Sequence, residues 1–167
     1  MESAKVLILD HDGVKKTIKR LAFQVYERNY NRKEIVIAGI EGRGSVIAEM
    51  LCGELATICK LKIHSFELPS PGEHGYGANN FPAPVIKLTA KCIILVDDVL
   101  NTGRTLMYAM DPLMKQKPET IQTLVLVERN HRKFPVSADY IGVSISTTLQ
   151  EHVDVVATKK QVTVFLR

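Results

Sequence analysis

An α/β protein with a mostly parallel central sheet and helices on both faces is predicted by three observations. Short apolar runs such as IVIAGI (35–40) and CIILV (92–96) are bounded by charged or turn residues, as strands buried on both faces are. Amphipathic segments of about 12 to 18 residues separate several of these runs, which calls for crossover helices. Composition completes the picture: 46% hydrophobic and 24% charged residues describe a globular chain, too apolar for disorder, without repeat or low-complexity tract.

Taken in order, Val14, Ile18, Leu21 and Val25 share one stripe of a helix over about 13–30, with Lys15, Lys16, Lys19 and Arg20 on the opposite face. The run 35–40 is a doubly covered strand. A second helix is expected over about 45–60, with Val46, Met50, Leu51, Leu55 and Ile58 inward. LKIHSFEL (61–68) is another strand. The following LPSPGEHGYGANNFPAP (68–84) holds four of the seven prolines and three of the ten glycines, the composition of a long binding loop or lid. CIILV is the strongest buried-strand signal. A third helix carries Leu106, Met110 and Leu113, and Pro112 should kink it or end it. Further strands are expected at 121–127, 139–145, 153–156 and 162–166.

At 167 residues one domain spanning 1–167 is expected, with one ordinary core. No apolar run reaches the roughly 18 to 20 residues that span a bilayer, and the first residues lack a signal-peptide pattern, so a cytoplasmic protein without a membrane partner is expected. Cys52, Cys59 and Cys92 read as packing residues, and the histidines show no metal spacing. The net charge is +4, and seven basic residues stand against one acidic residue between Lys15 and Lys33. Such a face is either merely solvated or a contact for a polyanion.

The chemistry concentrates in IILVDDVLNTGRT (93–105). Ligands of open parallel sheets bind beyond the carboxyl ends of the strands. Here two adjacent carboxylates, Asp97 and Asp98, stand at such an end, just before a helix that opens with Thr102, Gly103, Arg104 and Thr105. A helix N-terminus presents unpaired N–H groups and a positive dipole end, Gly103 allows close approach, and the threonines add hydroxyls, so a phosphate fits there. Carboxylates instead suit sugar hydroxyls or a hydrated Mg²⁺. Together they describe a sugar phosphate.

This string resembles the phosphoribosyl pyrophosphate (PRPP) signature of type I phosphoribosyltransferases. VLILD near the start, KKTIKRLAFQVYERN, IVIAGIEGRGSVIAEML, ILVDDVLNTGRTLMYAMDPLM and LVLVERNHRKFPVSADYIG resemble, in order over about 5–145, the bifunctional pyrimidine operon regulator/uracil phosphoribosyltransferase family. The resemblance implies a type I phosphoribosyltransferase-like fold with a small hood and a flexible loop over about 68–84, a homodimer or higher homo-oligomer, and transfer of phosphoribosyl from Mg-PRPP to a nucleobase such as uracil with release of pyrophosphate. It implies that Asp97 and Asp98 hold the ribose hydroxyls and meet Mg²⁺ through water, and that Thr102, Gly103, Arg104 and Thr105 cradle the 5-phosphate. Glu41, Gly42, Arg43 and Gly44 would form the pyrophosphate loop, and Asn101, Tyr140 and Ile141 would face the base. This chain departs from the family in three places: no Lys or Arg lies between Ile63 and Ile86; Asn101 has no basic group; and Ser137 and Val143 replace basic residues of the family's RNA-binding side.

Two other readings compete. LILDHDGV (7–14) matches the first motif of haloacid-dehalogenase-type phosphatases, with Asp10 as nucleophile and Asp12 as acid; the plainer reading is that one of them caps the basic helix. An RNA-binding or PRPP-sensing regulator would use the basic helix with Arg129, Arg132 and Lys133. His131 would help shape the turn before Pro135.

Overall fold

The structure is a computed structural model that describes residues 5–76, 86–158 and 160–167. Its elements are β1 (Val6–Leu9), α1 (His11–Asn29), β2 (Glu34–Ile40), α2 (Arg43–Ile58), β3 (Lys62–Leu68), β4 (Cys92–Leu100), α3 (Arg104–Lys115), β5 (Thr120–Arg129), β6 (Tyr140–Ile145), β7 (Val153–Ala157) and β8 (Val162–Leu166). Five strands in the order β3-β2-β4-β5-β6 form a wholly parallel sheet. The two chain ends build a separate antiparallel sheet in the order β1-β8-β7. The terminal strands therefore do not extend the parallel sheet; they form the small accessory layer that the family resemblance implies as a hood.

Period-two alternation divides the core. Ile35 and Ile37 on β2 and Cys92, Ile94 and Val96 on β4 pack with α1, α2 and the terminal sheet. Val36, Ala38 and Ile40, with Ile93 and Leu95, pack on the other face against Leu106, Ala109 and Leu113 of α3. Both faces are covered, which is why these strands read as continuous apolar runs rather than as alternating ones.

Two helices differ from the sequence reading. The second begins at Arg43, inside the glycine turn, and its fully buried stripe is Ile47, Leu51 and Leu55 with Ala48; Val46, Met50 and Ile58 flank it half-buried. The third runs on through Pro112 to Lys115. Near a helix end proline removes one hydrogen bond, and buried Pro112 recovers that loss in packing. Among the described residues no helix is long and apolar enough to cross a membrane. The three cysteines are free, as expected of packing residues. Residues 77–84 of the proline- and glycine-rich segment 68–84, expected to be a binding loop or lid, lie outside the described residues.

Candidate active site

The connections from β2 to β3 and from β4 to β5 leave in opposite directions, so the sheet's switch point lies between β2 and β4. That is where open parallel sheets bind ligands. β2 and β4 pair only as far as Gly39 with Val96, whereas β4 continues beside β5 to Leu100 and Glu128. Asp97 and Asp98 therefore lie beside the gap left where β2 turns away. A cavity of about 360 Å³ opens there, lined by Glu41, Gly42, Arg43, Gly44, Ser70, Asp97, Asp98 and Thr105 among others. A second, of about 160 Å³, is lined by Asp97, Asn101, Thr102, Gly103, Arg104 and Thr105 with their neighbours. Asp97 and Thr105 belong to both, so the two form one elongated crevice with the acids at its middle.

Each carboxylate is fixed by local backbone. Asp97 Oδ1 accepts from the Asp98 N–H at 2.9 Å, and Asp98 Oδ1 accepts from the Val99 N–H at 2.8 Å. Burial and then the Asp98 charge hold the Asp97 carboxyl well above the usual carboxylate range. The Arg43 guanidinium stands 3.6 Å from Asp98 Oδ2.

Both helices that open on the crevice, α2 and α3, begin at a glycine, carry no acid in the first turn and have no side-chain cap. By contrast, α1 is capped by Asp10, which accepts from the Gly13 N–H at 2.7 Å, and has Asp12 in its first turn. The two crevice helices thus keep their positive ends for a ligand. Glycine is required in this construction. Gly103 has φ 85°, and a Cβ there would fall 2.5 Å from Val136 Cγ1. A Cβ on Gly44 would fall 2.9 Å from the Val96 carbonyl and 3.3 Å from Asp97 Cα, so its absence lets α2 seat against the acid strand.

The crevice gathers Asp97, Asp98, Asn101, Thr102, Gly103, Arg104, Thr105, Glu41, Gly42, Arg43 and Gly44, but several side chains act differently from the sequence reading. The Glu41 carboxylate accepts from the Ser70 N–H at 3.2 Å and so holds the segment after β3 rather than an anion. Arg104 lays its guanidinium over the Phe134 ring, 5.9 Å from the centroid. The Tyr140 side chain departs from the expected base contact: it is 4% exposed on the α1 face, its hydroxyl donates to Gln122 Oε1 at 2.7 Å, and it lines neither cavity. Ile141 packs on the α3 face and lines neither cavity. Ser70 and Tyr76 escaped sequence reasoning because they lie in a loop without periodicity. Burial, with the charges of Asp97 and Glu41, pushes the Tyr76 hydroxyl up to about 12, which puts it near both acids.

The phosphatase constellation does not assemble, and the basic residues of the regulator reading divide into structural and exposed ones. Asp10 is a helix cap at the end of β1, in the accessory sheet, and lines neither cavity. Arg129 is buried and donates to Thr147 Oγ1 and to the carbonyls of Thr148 and Glu151, while Arg132 pairs with Glu128 and donates to the Val136 carbonyl. Of that basic trio only Lys133 is exposed. His131 meets Thr147 rather than shaping the turn before Pro135. On α1, Arg20 is used on the carbonyls of Ile141 and Gly142, whereas Lys15, Lys16 and Lys19 are exposed.

Residues 7–160 match the family model described as phosphoribosyl transferase domain. The chain is 32% identical over 168 residues to the bifunctional protein PyrR of Fusobacterium nucleatum, covering 93% of this chain and 92% of that protein. It is 33% identical to that of Pelotomaculum thermopropionicum, covering 93% and 90%. Among solved structures, the hypoxanthine phosphoribosyltransferase of Trypanosoma cruzi superposes with a TM-score of 0.75 at 16% identity, over 88% of this chain and 83% of that one. A hypoxanthine-guanine phosphoribosyltransferase from Bacillus anthracis superposes with a TM-score of 0.71 at 22% identity, over 87% and 84%.

Proposed function

Because the chain belongs to the phosphoribosyl transferase domain family, we propose that it transfers the phosphoribosyl group of PRPP to a nucleobase, uracil in the first place, with release of pyrophosphate. The observation that carries this reading is the convergence of two uncapped helix N-termini on one adjacent acid pair at the sheet's switch point. Two anion sites flanking a pair of hydroxyl acceptors match a sugar that bears a phosphate at one end and pyrophosphate at the other.

In the reaction, the bond between C1 and the pyrophosphate oxygen breaks, with its electron pair leaving on pyrophosphate. A base nitrogen forms the new bond to C1, and its proton passes to water or to the released pyrophosphate. Asp97 and Asp98 hold the ribose hydroxyls, and their charge steadies the positive charge that develops on the ring. Thr102, Thr105 and the first N–H groups of α3 bind the 5-phosphate. The N-terminus of α2 and Arg43 receive the pyrophosphate, and the contact of Arg43 with Asp98 ties the leaving-group side to the sugar side. Asn101, which lines the phosphate cavity, is the remaining base-side candidate, and it accepts or donates a hydrogen bond without taking a proton.

The donor set fits Mg²⁺ that arrives on PRPP. Among the described residues no cluster of three ligands exists, but Mg²⁺ characteristically takes one or two carboxylates with waters and substrate phosphates. Bound in this way, at Asp97 and Asp98 through water, it would neutralise the leaving group.

The test is pyrophosphate release from Mg-PRPP against a panel of bases, with PRPP binding followed in parallel. Turnover with uracil is expected, and Asp97→Asn should abolish it. A wild-type chain that binds PRPP but turns over no base overturns the enzyme reading in favour of a PRPP-sensing regulator.

A further inference from the structure

The turn after β5, residues 130–136, sits behind the phosphate loop and fixes it at several points. The Thr102 carbonyl accepts from both the Lys133 and the Phe134 N–H, each at 3.0 Å. Val136 fills the space beside Gly103 that a side chain there would take. Arg132 pairs with Glu128 and donates to the Val136 carbonyl, which closes the turn on itself. The Phe134 ring lies under the Arg104 guanidinium and meets Tyr108, one turn further along α3, with centroids 6.2 Å apart. All of these fixings come from outside the crevice, while within the loop the Thr102 hydroxyl accepts from the Arg104 N–H at 3.3 Å.

Arg104 is the point at which this arrangement affects binding. A long, exposed cationic side chain loses considerable rotamer freedom when a ligand orders it. Stacking on an aromatic face orders it beforehand and leaves its edge N–H groups available.

We propose that Phe134 is a positioning residue for phosphate binding: its ring holds the Arg104 guanidinium in place at the rim of the phosphate loop. This rests on the reading that residues 102–105 bind the 5-phosphate. The basic-looking turn HRKFP thereby has a structural role as a buttress of the phosphate loop.

The test is titration of the full-length chain with ribose 5-phosphate, together with the KM for PRPP and the KM for the base. Phe134→Leu is expected to weaken ribose 5-phosphate binding and to raise the KM for PRPP by about threefold to fivefold, the size of an exposed cation–π contact. The KM for the base should not move, and Phe134→Tyr should bind as wild type does. In an Arg104→Met background, Phe134→Leu should add nothing, because the side chain it positions is gone. Phe134 is only half-buried, and if the leucine variant melts early, Phe134→Met, which keeps the apolar volume without the ring, takes its place in the same comparison. The proposal is overturned if the ring-less variant binds ribose 5-phosphate as tightly as wild type does, if tyrosine fails to rescue, or if the loss persists in the Arg104→Met background. A wild-type chain that does not bind ribose 5-phosphate sinks the reading of the loop itself, and the positioning role with it.

Discussion

Asp97 is 7% exposed, and burial with the neighbouring Asp98 charge raises its carboxyl well above the ordinary value of 3.8. From that ordinary value upward, the folded protein retains a proton that the unfolded chain has released, so this residue makes stability fall as pH rises. Asp97→Asn removes the charge while keeping an oxygen to accept the Asp98 N–H. The ligand-free variant is expected to melt above wild type at pH 8, by about 2–4 °C per kcal/mol of relief, with the gain shrinking toward pH 4. The same variant should lose PRPP binding. Melting curves at the two pH values, with and without PRPP, check both halves; equal melting at pH 8 would sink the burial argument. Gly44 gives a second test. A Cβ there meets the β4 backbone at Val96 and Asp97, so Gly44→Ala must push the α2 N-terminus off β4, at about 1–3 kcal/mol. Pyrophosphate binding should weaken with it. Gly42→Ala, at φ 90° and ψ −119° with open space around it, should cost only backbone strain, about 1–3 kcal/mol. Denaturant unfolding of the two variants separates these costs.

α1 shows what could and could not be read from sequence at the scale of an element. Its buried stripe of Val14, Ile18, Leu21 and Val25 follows the helical period and was legible. The use of its polar residues was not, because that depends on which distant strand each one meets. Asn29, fully buried at the helix end, donates to Gln122 Oε1 at 3.0 Å and to the Tyr140 hydroxyl at 3.3 Å, and accepts from Arg32 and Cys92. This cluster holds the Tyr140 side chain on the α1 face: adjacent strand residues face opposite ways, so a sequence that resembles a base-binding strand does not say which of Tyr140 and Ile141 points where. By contrast, Asp97 to Thr105 was legible because one strand, one turn and one helix start carry the whole motif without a gap. Asn29→Leu should leave Gln122 and the Tyr140 hydroxyl short of a partner and cost about 1–3 kcal/mol. Turnover should be unchanged at temperatures where the variant is folded, and an unchanged melting temperature would show that the cluster contributes nothing.

At the scale of the molecule, the parallel sheet places the crevice, while the two chain ends meet in a sheet of their own. β8 is the middle strand of that sheet, paired with β1 on one side and β7 on the other. It also places Val162 and Val164, 2% and 0% exposed, in the core shared with α1 and α2, and its first N–H donates to His11 Nδ1 at 3.1 Å. Ending the chain after residue 157 therefore does more than remove a surface strand. It leaves β1 and β7 without their shared partner strand, opens the α1–α2 face of the core and removes two buried valines that contribute about 1.5–3 kcal/mol each. Against a total stability of about 5–15 kcal/mol, that loss should remove cooperative unfolding near room temperature or lower the midpoint steeply. The site residues lie on other elements, so PRPP added in excess should recover part of the lost melting temperature by mass action. A truncated chain that melts within a few degrees of the full chain would mean that the parallel sheet and its helices are stable without the sheet formed by the chain ends.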